Sequence, residues 1–123
     1  MSKANMSLLT LTVIATAVLE NNRAVNQAGA YPAAGGLAFG ITRSDAAICD
    51  PTPVDVQGTA IVTAGAAFNK DVPLMVGANG KLIAHDADGD KHAVARSMEA
   101  ATADGDQVEV LLTPHAGVLV TAA

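Results

Sequence analysis

Near the start of the chain the apolar positions recur at every second residue. Leu9, Leu11, Val13, Ala15 and Ala17 fall on one side of an extended segment. Thr10, Thr12, Ile14, Thr16 and Val18 fall on the other. A period of two is that of a β-strand, here with a mixed outer face. Asn21-Asn22 breaks the pattern, and residues 26–36 (NQAGAYPAAGG) are rich in Gly and Ala with one Pro. That composition reads as an exposed loop or linker. The sequence therefore divides into an extended N-terminal arm, residues 1–30, and a β-rich body, residues 31–123.

The body reads as short strands punctuated by turn signals about every ten residues. Leu37 to Thr42 is the first, followed by a polar turn at Ser44-Asp45. Asp50-Pro51-Thr52-Pro53 reads as a rigid connection, because each proline fixes its own φ and restrains its predecessor. Val54 and Val56 alternate with Asp55 and Gln57, and that strand continues through Ile61 and Val62. Pro73 to Val76 and Lys81 to Ala84 flank Asn79-Gly80, a strong hairpin signal since both residues accept positive φ. Ala93 to Ala100 fits a strand or a short helix, Gln107 to Leu112 alternates as a strand, and a last apolar run covers Val118 to Val120. No segment has the pattern of a helix of about ten residues or more. The fold class is all-β: a small β-barrel or β-sandwich-like body, of β-tulip or β-clip type, carrying the arm. Leu37, Phe39, Ile41, Val56, Ile61, Phe68, Leu74, Val108 and Val110 are the expected core.

Composition changes this picture in one respect. Half of the 123 residues are apolar, but 26 of them are alanine, and Ile, Leu, Val and Phe together number only 30. With no Trp, one Tyr and two Phe, the large side chains make a thin core. Burial stabilises by about 25 cal/mol per Å², and alanine has little area to bury. Such a fold is expected to be completed by copies of itself or by a larger partner.

Charge and chemistry mostly exclude. The net charge is −5, with −1 over residues 1–63 and −4 over residues 64–123. An acidic chain lacks the basic stripe of a nucleic-acid binder, and there is no aromatic platform for single strands. The apolar run Leu8 to Val18 is interrupted by threonines and is shorter than the ~20 residues a membrane span needs, so no membrane partner is expected and the segment reads as a strand rather than a leader. Cys49 is single, so no internal disulfide is possible. The run Asp86-Ala87-Asp88-Gly89-Asp90 misses the EF-hand spacing, because Gly89 stands fourth and Ser97 occupies the twelfth place. His85, His92 and His115 have no zinc-ligand spacing. No nucleophile elbow or phosphate loop is present. The sequence therefore predicts no catalytic residues, no metal and no cofactor.

Four stretches resemble the tailed-phage capsid cement, or head decoration, family. They are 35–47 (GGLAFGITRSDAA), 54–67 (VDVQGTAIVTAGAA), Pro73-Leu74-Met75-Val76 through Gly80-Lys81-Leu82-Ile83-Ala84, and 95–112 (ARSMEAATADGDQVEVLL). The resemblance implies a non-enzymatic structural protein that sits on the outer surface of the virion capsid. It implies a major capsid protein of a tailed phage as partner, joints between capsid subunits as the place of binding, and a homo-oligomer, a trimer, as the assembly. On the residues themselves, an arm of alternating Thr and aliphatic side chains presents unpaired backbone groups suited to strand addition. Leu9, Leu11 and Val13 are therefore the candidate residues for subunit or capsid contact, the other reading being that they form a core strand of their own body. The alternative function is a small surface-displayed β-module binding a carbohydrate or other small ligand, disfavoured by the shortage of aromatic side chains.

Overall fold

A computed structural model describes residues 6–86 and 91–113. Eight strands make one continuous sheet: β1 (Ser7–Ile14), β2 (Ala24–Val25), β3 (Gly40–Thr42), β4 (Pro51–Thr63), β5 (Pro73–Val76), β6 (Leu82–Ala84), β7 (Ala95–Ser97) and β8 (Gln107–Leu112). A 3-10 turn, Ala78–Gly80, lies between β5 and β6. The described residues contain no α-helix, in line with the all-β reading.

The long strand β4 organises the molecule. Its first half pairs antiparallel with β1 on one side and with β3 on the other, and β3 pairs in turn with β2. Its second half pairs with β8, which continues through β7 and β5 to β6. The sheet then returns on itself. Leu82 of β6 bridges Ala64, just past the end of β4, and Gly65 N donates to Leu82 O at 2.8 Å. The second half of β4 thus belongs to a nearly closed barrel, which leaves few backbone groups without partners.

Gly58 stands where β4 passes from one partner set to the other. Its φ is +100°, and a Cβ there would lie 2.2 Å from Met6 O. The β1–β4 register shifts at this point, between Ser7 and Thr10. A bulge that bends the strand, filled by the residue with no side chain, accounts for all three features.

Two apolar clusters follow from this layout. The larger fills the barrel with residues that include Val62, Phe68, Leu74, Val76, Leu82, Val108 and Val110. The smaller, Val13, Ala15, Leu19, Val25, Ala46, Val54 and Val56, lies under β1 and the first half of β4. Both are rich in Ala and Val, as the composition implies. Most buried polar side chains are satisfied, with Arg23 Nε the exception among the described residues: Thr42 Oγ1 donates to Glu20 O at 2.7 Å, and Ser97 Oγ donates to Asn69 O at 2.8 Å while accepting from Val72 N at 3.0 Å. Such pairing offsets the cost of removing these groups from water.

Several local readings change. Asp50 through Pro53 is no connection, for Pro51 opens β4 and Pro53 lies inside it. Residues 26–36 are no exposed linker. Gly29, Pro32 and Gly35 are buried; Gly35 N donates to Val76 O and Gly35 O accepts from His92 N; Tyr31 Oη accepts from Glu20 N at 2.8 Å. The segment is a strap held to the barrel by main-chain bonds. Leu37 is 40% exposed rather than core, and Ile61 is half-buried because its neighbour Val62 points into the barrel. Phe39 packs, half-buried, on the smaller cluster. Ile41, Val56, Phe68, Leu74, Val108 and Val110 are buried as expected. The run Val118 to Val120 falls outside the described residues.

Candidate interaction surface

Strand β1 carries the exposed apolar surface. The large hydrophobic side chains left in solvent among the described residues are Met6, Leu8, Leu9, Leu11, Ile14, Val18, Leu37, Ile48, Met98 and Leu111, and six of these ten lie between residues 6 and 18. Leu8 is 80% exposed, Leu9 40% and Leu11 39%. No charged residue occurs from Ala4 to Leu19. Apolar side chains concentrated on one strand, without interspersed charge, mark a surface built for contact rather than for water.

The three candidate contact residues do not share one environment. Leu9 and Leu11 are partly open, whereas Val13 is 5% exposed and packs with Val54 and Val56 in the smaller cluster. Val13 therefore anchors β1 to its own body, while Leu9 and Leu11 remain available. The anchoring is also polar. Thr10 Oγ1 donates to Asp55 Oδ1 at 3.0 Å, and the same oxygen lies 3.6 Å from Arg43 Nε. Asp55 is only 2% exposed, so its charge is held between a hydroxyl and a guanidinium, as a buried carboxylate requires.

At the far end of β1 the apolar surface extends onto a second loop. Ala15 N donates to Asp50 O, Cys49 N donates to Ala15 O, and Leu19 and Ala46 exchange both main-chain bonds. These bonds tie residues 15–19 to 46–50, so exposed Val18 and Ile48 belong to one end of the molecule. Sequence reasoning missed Ile48 because its membership depends on this tertiary pairing. Cys49, in the same loop, is exposed with φ +73°.

Elsewhere the surface offers little chemistry. A cleft near β3 is lined by Asn22, Thr42, Arg43, Asp55, Ile61 and Gln107. An apolar one is lined by Phe39, Ile41, Val56, Val94 and Leu112. No group of three metal-ligating side chains occurs among the described residues. His85 Nε2 is hydrogen-bonded to Lys91 O at 2.9 Å, and Asp86 pairs with Lys91. Most of the acidic turn (residues 87–90) and His115 lie outside the described residues.

A model of the phage cement proteins matches residues 3–112. The chain belongs to that family. No curated protein matches the sequence. Among solved structures the fold is similar to the head fiber gp8.5 N base in bacteriophage phi29, with a TM-score of 0.68 over 85% of this chain and 93% of that one, at 17% sequence identity. At that identity the likeness is one of fold. Family and fold together support a capsid-associated, structural role in the phage particle, the role suggested by a chain with a thin core and an uncharged, apolar strand on its surface.

Proposed function

We propose that this cement protein binds the outer surface of the assembled phage head and stabilises joints between major capsid subunits, acting as a trimer. Membership of the cement family supports the reading, and the exposed apolar side chains of β1 support a contact made through that strand. Leu8, Leu9 and Leu11 lie on a strand fixed to the body by Val13 and Asp55, so covering them on a shell costs little ordering. A protein that binds the assembled shell better than free subunits shifts the equilibrium toward the shell. Small contacts repeated over many sites add up through avidity. Cyclic symmetry places identical apolar patches around an axis and closes the assembly.

The test is co-sedimentation of the purified protein with heads assembled without it, followed by thermal disruption of those heads. The wild-type protein is expected to pellet with the heads and to raise their disruption temperature. A Leu8→Asp variant is expected to melt close to the wild type, since that side chain is 80% exposed, and to lose at least about tenfold in head affinity as a charge enters an apolar contact. Point changes are cleaner than deleting the strand, which would uncover Val54 and Val56. A protein that stays in the supernatant, or that pellets without changing the disruption temperature, refutes the reading. Sedimentation velocity of the free protein tests the trimer.

A further inference from the structure

The prolines of β4 decide which way the backbone of β1 faces. Thr12 stands opposite Pro53 and Ile14 opposite Pro51. Antiparallel partners alternate between pairs that exchange two hydrogen bonds and pairs that exchange none. Proline has no N–H, so the exchanging pairs are Leu11 with Val54 and Val13 with Thr52. Two further bonds agree: Ala15 N donates to Asp50 O on the β1 side, and Arg43 N donates to Pro53 O on the β3 side. The N–H and C=O groups of Leu11 and Val13 are therefore spent on β4. Those of Thr10 and Thr12 point to the opposite edge, where no other strand of the described residues lies.

That edge is open over a short window only. Toward the C-terminal end Gly29 closes it, because Thr16 N donates to Gly29 O at 3.0 Å and a Cβ on Gly29 would lie 2.0 Å from Ile14 O. Toward the N-terminal end the register shift between Ser7 and Leu9 turns the chain. Between these limits the edge has none of the lysines or prolines that normally guard an exposed strand.

We infer that the Thr10–Thr12 edge of β1 accepts an extended, apolar segment of the major capsid protein as an added β-strand, with Leu9 and Leu11 packing beside it. The inference rests on the proposed capsid-binding function and names how the contact is made. A second copy of this chain is the weaker occupant for two reasons. Pairing one edge with itself joins two molecules through a window a few residues long, far below the ~800 Å² per partner of a stable interface. It is also a two-fold contact, which cannot build the proposed trimer. A capsid segment adds the same main-chain bonds to other contacts on a shell.

Hydrogen–deuterium exchange tests this on the full-length protein, free and bound to heads assembled without it. In the free protein Leu11 and Val13 amides are expected to be protected and those of Thr10 and Thr12 to exchange rapidly; on the heads all four are expected to be protected. Thr12→Pro removes the outward N–H but no bond to β4, at a φ that an extended strand can accept, and is expected to melt within a few degrees of wild type while losing about tenfold in head affinity, the scale of losing a hydrogen-bonded strand contact. Thr12→Val keeps the N–H and is expected to bind normally. If the wild type binds heads while Thr10 and Thr12 stay unprotected, the strand-addition inference is wrong and the capsid-binding function stands. If nothing binds, both fall. Protection of Thr10 and Thr12 in the free protein, rising with its concentration, identifies a second copy as the occupant and overturns the inference. The exchange experiment decides even where Thr12→Pro fails to fold.

Discussion

Replacing Gly58 by Ala tests how β1 is attached. Two costs are expected. The first is conformational: at φ +100° an L-residue is strained by about 1–2 kcal/mol. The second is steric. The new Cβ would meet Met6 O at 2.2 Å and Leu8 N at 2.9 Å, both backbone atoms that no side-chain rotation can move. The start of β1 must then shift, and with it the bonds Thr59 N to Met6 O (3.1 Å) and Met6 N to Thr59 Oγ1 (2.9 Å). At roughly 1 kcal/mol each, the two bonds bring the total to about 3–4 kcal/mol. Gly105 supplies the control. It has φ +96° but nothing within 4 Å of a built Cβ, so Gly105→Ala carries only the conformational cost. Thermal melts of the two variants read the difference. Gly58→Ala is expected to lower Tm by about 12–32 °C and Gly105→Ala by about 4–16 °C, on the scale of roughly 4–8 °C per kcal/mol for a domain near this size. Equal shifts in the two variants would refute the steric argument, and with it the placement of Met6 over Gly58.

Two further predictions concern the barrel. Leu74, fully buried at the centre of the larger cluster, is expected to cost about 2–5 kcal/mol when replaced by Ala, read as a shift in the urea midpoint without loss of the β-sheet circular-dichroism signal at low urea. Ser97→Ala removes the hydroxyl that joins Asn69 O to Val72 N across the start of β5; a loss of about 1–3 kcal/mol is expected, with a Ser97→Thr variant retaining part of it in the same unfolding assay.

What the sequence made legible was local. Asn79 and Gly80 adopt φ +56° and +73° in the β5–β6 connection, as the chemistry of an Asn-Gly pair demands, and nothing distant is needed to foresee it. Gln107 to Leu112 forms β8 with Val108 and Val110 inside, as their alternation with Gln107 and Glu109 implies, although Glu109 is buried as well. Where the outcome depends on a distant partner, local reading fails. Pro51 and Pro53 signal a break to any reader of the chain alone. They are tolerated in β4 because their nitrogens face the side on which β3 ends at Thr42, while the ladder to β1 needs only Thr52 and Val54. Ile61 and Val56 have opposite parity on one strand, so both could be core only if a register break lay between them. The bulge at Gly58 bends β4 without reversing its parity, and Val62 takes the inward place. For the surface, the apolar character of β1 was legible, but its docking partner was not, since the bond from Thr10 to Asp55 spans 45 positions.

The thin core raises the question of why the fold is specified at all, and the barrel answers it. Ala60, Ala64, Ala95 and Ala101 are nearly or fully buried, and each admits close approach of neighbouring backbones where a larger side chain would hold them apart. The stabilisation lost in side-chain area is partly recovered by closing the hydrogen-bond ladder from β6 back to the end of β4, since buried backbone groups without partners are costly. A fold held in this way depends on where small residues and glycines stand more than on which large ones fill the centre. It also separates two tasks along the chain. Barrel positions are constrained by closure, whereas the most exposed position of β1, Leu8 at 80%, contributes little to the body's own stability and is free to be shaped by whatever surface the protein meets.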